Sequence, residues 1–136
     1  MDQAKQVAIT GLAHLGVRVR DLARAAAFYE LLGFTKTAGP LGPEPVAILS
    51  HANGLEINLI LNADADAAEN VLMDRAAKPP GITHFALLCP DLAEAERRLA
   101  AAGMRLSGGP VQFGPGARGI FVRDPDHNVI ELHQRG

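Results

Sequence analysis

From His14 to Arg20 the chain alternates, with His14, Gly16 and Arg18 on one side and Leu15, Val17 and Val19 on the other. That period of two predicts a strand with one polar face. Asp21 then stands as a helix N-cap, and Leu22, Ala25, Ala26, Tyr29 and Leu32 recur at helical spacing. Gly33 falls where a left-handed residue ends such a helix. A strand followed by a helix of about three turns is the expected unit.

The unit occurs twice. A shift of 70 residues carries His14 onto His84, Asp21-Leu22-Ala23 onto Asp91-Leu92-Ala93, Gly33 onto Gly103 and Gly39-Pro40 onto Gly109-Pro110. Several matches at one offset argue for two copies of one supersecondary unit. In the second copy Thr83 to Cys89 is strand-like, Pro90 stops it, and Asp91 with Glu94 forms an acidic capping box. Each helix is followed by Gly/Pro-rich turns and then β-rich runs: Val46 to Ser50 and Leu55 to Leu61, then Gly119 to Arg123 and Val129 to His133. The expected fold class is α+β. Two βαβββ modules, about 10–62 and 81–136, form a cupped, mostly antiparallel sheet in one domain, joined by a polar, alanine-rich linker over about 63–80 with room for a short helix.

Composition narrows the class. The 136 residues fit one domain, 48% are hydrophobic, and aromatics are scarce, so the core must be aliphatic. A net charge of −2 with scattered basic residues argues against nucleic acid and anionic membranes, leaving a small molecule as the expected partner. One cysteine, Cys89, excludes an internal disulfide, and it reads as an inert core thiol. The Met1–Gln6 start has no leader character, so a cytoplasmic location is expected.

In the last strand Ile130 and Leu132 point one way and Val129, Glu131 and His133 the other. If the modules are pseudo-symmetric, Glu131 shares a surface with His14 and His84. Two imidazoles and a carboxylate from separate strands make the triad that holds a first-row divalent metal with open positions. Without a cation, an enclosed ionised glutamate carries a desolvation cost of several kcal/mol.

The stretches "HLGVRVRDLARAAAFYELLGF" and "FVRDPDHNVIELHQ" together resemble the vicinal oxygen chelate superfamily, which holds glyoxalases, extradiol dioxygenases and bleomycin resistance proteins. The resemblance spans Leu12 to Gln134, with His127 at the usual turn glycine. It implies His14, His84 and Glu131 as ligands of one divalent ion (Fe, Mn, Ni, Co or Zn), a homodimer, and in some members a site built across two chains. It further implies an acid–base glutamate, for which Glu56 is favoured by the Leu-Glu-Ile match. Module arithmetic instead favours Asn58, since 131 − 58 = 73 also carries Gly54 onto His127. Arg18 resembles the arginine that holds a substrate carboxylate in glyoxalase I, and His133 is expected to line the cavity.

The implied activity is a glyoxalase-type lyase or isomerase that chelates neighbouring oxygens and promotes proton transfer. The rivals are an Fe(II) extradiol dioxygenase, weakened by Tyr29 being the only tyrosine and lying in a helix, and a metal-free binding or resistance protein.

Overall fold

A computed structural model describes residues 5–136; residues 1–4, the beginning of the segment read above for a leader, lie outside the described residues. The chain runs β1 (Leu15–Arg18), α1 (Leu22–Leu31), β2 (Phe34–Leu41), β3 (Val46–His51), β4 (Glu56–Ile60), α2 (Val71–Asp74), β5 (Phe85–Leu88), α3 (Leu92–Ala101), β6 (Gly108–Gly114), β7 (Ala117–Arg123) and β8 (Val129–Gln134). Two open four-stranded sheets result, ordered β1-β4-β3-β2 and β5-β8-β7-β6. In each, the first strand pairs parallel to the last and the other pairings are antiparallel. Among the described residues no helix is long and apolar enough to cross a membrane.

The caps form as the sequence dictates. The side chain of Asp21 accepts from the Arg24 amide at 3.1 Å, and that of Asp91 from the Glu94 amide at 3.0 Å. Gly33 and Gly103 close the two helices at φ 91° and 79°, a left-handed conformation that glycine adopts at least cost. The helical stripe and the inward strand residues then meet: Val17, Val19, Tyr29, Phe34, Leu49, Ile57 and Leu59 join Leu92, Leu99, Ile120, Val122 and Ile130 in one core cluster.

Two expectations need correction. Gly39-Pro40 and Gly109-Pro110 are not turns but lie inside β2 and β6. Both are edge strands, and each is paired with register shifts at the dipeptide, which is where a strand can carry a proline that donates no ladder hydrogen bond. A Cβ at Gly39 would collide with the Val46 carbonyl, so this close approach requires glycine. The predicted first strands also begin later than expected, leaving His14 and His84 one residue ahead of β1 and β5.

The linker holds its short helix. Asn70 caps α2, and its amide donates to the His127 carbonyl at 2.9 Å, while Arg123 grips Asp74 with two 2.6 Å hydrogen bonds. These bonds tie the connection between modules to the β7–β8 turn. In that turn His127 takes φ 64°, occupying the left-handed position that Gly54 holds at φ 92° in the β3–β4 turn.

Candidate functional site

Strand β8 turns Ile130 and Leu132 into the core and Glu131 and His133 to the opposite face. That face is sheltered at Glu131, which is only 5% exposed. Imidazoles grip the carboxylate from both sides: His84 Nε2 lies 3.1 Å from Oε1, and His133 Nδ1 lies 2.6 Å from Oε2. An ionised carboxylate only accepts, so in this arrangement both ring nitrogens carry protons. His84 Nδ1 then accepts from the Thr83 hydroxyl, 2.8 Å away.

Aromatic rings and a missing side chain complete the surround. Phe121 meets His84 edge-on at 5.5 Å, and Phe113 stacks on His133 at 5.4 Å. Gly119 opposes His133 across the β7–β8 ladder. A Cβ there would stand 2.9 Å from Glu131 Oε2 and 2.8 Å from the Phe113 ring, so glycine lets the carboxylate and the ring pack directly on the β7 backbone.

The other named residues belong to the first module. His14 is exposed just ahead of β1. The structure joins His84 to Glu131 but not His14, and among the described residues no three or more His, Cys, Asp or Glu side chains are arranged to hold a metal ion. Arg18 is exposed, its Nε donating to Asn62 Oδ1 at 2.8 Å and Nη2 reaching Glu44 at 3.4 Å. Glu56 is exposed at the head of β4 and pairs in register with Ser50, while Asn58 is half-buried and pairs with Gly16 and Ile48. Glu131 is flanked in the same way by Ala86 and Phe121. Asn58, rather than Glu56, therefore occupies in the first sheet the position that Glu131 occupies in the second.

Thr83, Phe113, Phe121 and Gly119 were not singled out from the sequence. Gly119 had a signal, since a glycine inside a strand marks a close approach. The aromatic contacts had none, being set by the register between β6, β7 and β8.

The donor set suits a first-row divalent ion: imidazole nitrogen and carboxylate oxygen lie side by side in a sheltered place. The Thr83 hydroxyl can accept as well as donate, so it can also support the His84 tautomer that frees Nε2 as a ligand.

The family model for the Glyoxalase/Bleomycin resistance protein/Dioxygenase superfamily matches residues 11–132. A glyoxalase domain-containing protein of Mycosarcoma maydis, RDO1, is 28% identical over 135 residues, covering 96% of this chain and 71% of that protein. Among solved structures, the glyoxylase/bleomycin resistance protein/dioxygenase domain of Frankia sp. EAN1pec superposes with TM-score 0.73 at 23% identity, covering 95% of this chain and 100% of that one. The antibiotic binding protein TnmS3 of Streptomyces sp. CB03234 has TM-score 0.72 at 24% identity, with 96% and 100% covered. The fosfomycin resistance protein FosX of Listeria monocytogenes has TM-score 0.72 at 20% identity, with 95% and 94% covered.

Proposed function

The chain belongs to the glyoxalase/bleomycin resistance protein/dioxygenase superfamily, and on that footing we propose that it is a divalent-metal-dependent enzyme of glyoxalase type. The carrying observation is the Glu131 carboxylate, buried on the non-core face of β8 between two imidazoles and seated against Gly119. Such a carboxylate is costly to maintain for stability alone.

His84 and Glu131 of one chain, with His14 of a second copy, would hold the ion. The exposure of His14 favours this sharing over a site within one chain. When bound, the cation supplies Lewis acidity toward two neighbouring oxygens of a small substrate. Glu131 is placed to exchange a proton at the adjacent carbon, and His133 Nδ1, at 2.6 Å, to steady that carboxylate. Asn58 offers an amide to a substrate oxygen, and Arg18 a guanidinium to an anionic tail. Glu56, two positions from the Glu131 equivalent, is left outside the proton transfer.

A second reading is a metal-free small-molecule binder. Its support is that His84 and His133 already satisfy Glu131 within one chain.

Titration of metal-stripped protein with Mn(II), Ni(II), Zn(II) and anaerobic Fe(II) tests both. One tightly bound ion per chain, lost in Glu131→Gln and His14→Ala and recovered when the two variants are unfolded and refolded together, supports the shared site. Absence of stoichiometric metal defeats the enzyme reading. For the loaded protein, turnover of hemithioacetals against catechols separates lyase or isomerase from dioxygenase.

A further inference from the structure

The two modules meet along a seam with two pseudo-symmetric halves, and the halves are not alike. Helices α1 and α3 correspond at an offset of 70, and the β3–β4 and β7–β8 hairpins at 73. The hairpin match extends to individual bonds: Asp124 N to Asn128 O and His127 N to Asp124 O in one turn, His51 N to Leu55 O and Gly54 N to His51 O in the other.

One half of the seam is plugged. Tyr29, fully buried, donates its hydroxyl to Asp124 at 2.8 Å and stacks edge-on against Phe28 at 4.9 Å. The Arg20 amide donates to Asp126, and the Asn128 side chain to the Arg18 carbonyl. Outside this plug lies a larger but more open depression, of about 420 Å³, against Phe28, Met104 and Asp124.

In the twin half every one of these partners has changed. Tyr29 corresponds to Leu99, Phe28 to Arg98 and Asp124 to His51, so the hydroxyl–carboxylate pair and both rings are absent. Arg20 corresponds to Pro90, which has no N–H, and the facing Asn53 turns its carbonyl back to the Leu55 amide at 3.0 Å. What remains is a cavity of about 230 Å³ lined by Leu99, His51, Leu55, Leu87 and Cys89, among others. It lies on the core side of the second sheet, reached by Leu132, and so is separate from the Glu131 face.

We infer that this cavity is a second binding site, for a neutral monocyclic aromatic molecule. The volume argument is direct, since an apolar cavity of about 150 Å³ suffices for benzene, and the side chains missing here relative to the twin half are aromatic rings. The neutrality argument rests on the polar groups of the wall, which are already engaged. His51 Nδ1 accepts from the Asn53 amide, so Nε2 carries the proton and donates to the Leu32 carbonyl at 3.1 Å. Arg98 shares Glu94 with Arg97, at 2.9 and 2.6 Å, and is 80% exposed, so its charge stands in solvent at the mouth, and the Cys89 thiol points to the Asp91 carbonyl at 3.6 Å. Inside that mouth a charged ligand would find no counter-charge, whereas a ring would find carbon on most sides.

Toluene is the probe. In methyl-labelled protein it should shift the Leu55, Leu87 and Leu99 resonances saturably and with one affinity, and at ten times its Kd should slow alkylation of Cys89 about tenfold. Leu99→Phe supplies a ring from the protein and should abolish both effects, leaving the Ile130 and Val129 resonances in place. Ala95→Leu, filling the same space from the next turn, should do likewise and guards against misfolding of the first variant. No saturable shift in the wild type, shifts confined to the Glu131 face, or full retention of binding in a folded Leu99→Phe or Ala95→Leu protein would each overturn the inference.

Discussion

Glu131 Oε2 and His133 Nδ1 lie 2.6 Å apart, donor and acceptor two positions apart on one strand face. The pair makes the carboxylate a structural liability without its partners. His133→Ala leaves one carboxylate oxygen unpartnered and should cost about 1–3 kcal/mol in the metal-stripped protein, read from urea midpoints. Glu131→Leu removes the buried charge instead, leaving two imidazoles that are 32% and 26% exposed and can bond water, and the same measurement should find it no less stable than His133→Ala. A stable Glu131→Leu protein that takes up no metal would mark a residue retained for chemistry rather than for folding.

Gly119→Ala tests the close seat of the carboxylate on this glycine. The added methyl would press on Glu131 Oε2 at 2.9 Å and on the Phe113 ring at 2.8 Å. Metal affinity should fall while thermal stability changes modestly, because Phe113 lies on a half-exposed edge strand and can move aside. Equal metal affinity in the alanine variant would show that the carboxylate's position does not depend on this contact.

Tyr29→Phe removes the donor to Asp124 and keeps the ring. Burial pushes the Asp124 carboxyl above its ordinary range, opposed by hydrogen bonds from Asn128, Tyr29 and the Asp126 amide. Losing one of those bonds should cost about 1–3 kcal/mol in denaturant unfolding.

Acid should loosen α2 before the sheets. Hydrogen bonds from Arg123, then from the Asn70 amide, hold the Asp74 carboxyl well below its ordinary value of 3.8. A carboxyl depressed on folding contributes stability above that ordinary value and loses it as pH falls toward the folded one. Amide exchange at Val71–Asp74 should therefore accelerate selectively below about pH 4, where an ordinary carboxyl protonates. Asp74→Asn should show the faster exchange already at neutral pH and lose the pH step.

Much of this was legible in spacing. The offset of 70 located both helices, their aspartate caps and their glycine stops, because caps and periodicity are local properties of the chain. The offset of 73 correctly related Asn58 to Glu131, whereas the Leu-Glu-Ile match pointed to Glu56, two positions away in the ladder. Gly39-Pro40 misled because the same dipeptide serves a turn or a bulged edge strand, and strand order decides which. The stacking of Phe113 on His133 and the Tyr29–Asp124 bond joins residues 20 and 95 apart, beyond any local pattern.

The plugged half of the seam also bears on how fast the chain comes apart. Its side-chain bonds span 95, 106 and 110 residues, whereas each hairpin closes over a short turn. Contacts of such separation are entropically the most expensive to form early. The hairpins are thus expected to assemble first and the seam to lock last. A bond made after the transition state governs escape rather than entry, so Tyr29→Phe should steepen the unfolding rate while leaving the refolding rate near that of the parent chain. Tyr29 and Asp124 then act as a latch on the lifetime of the folded protein.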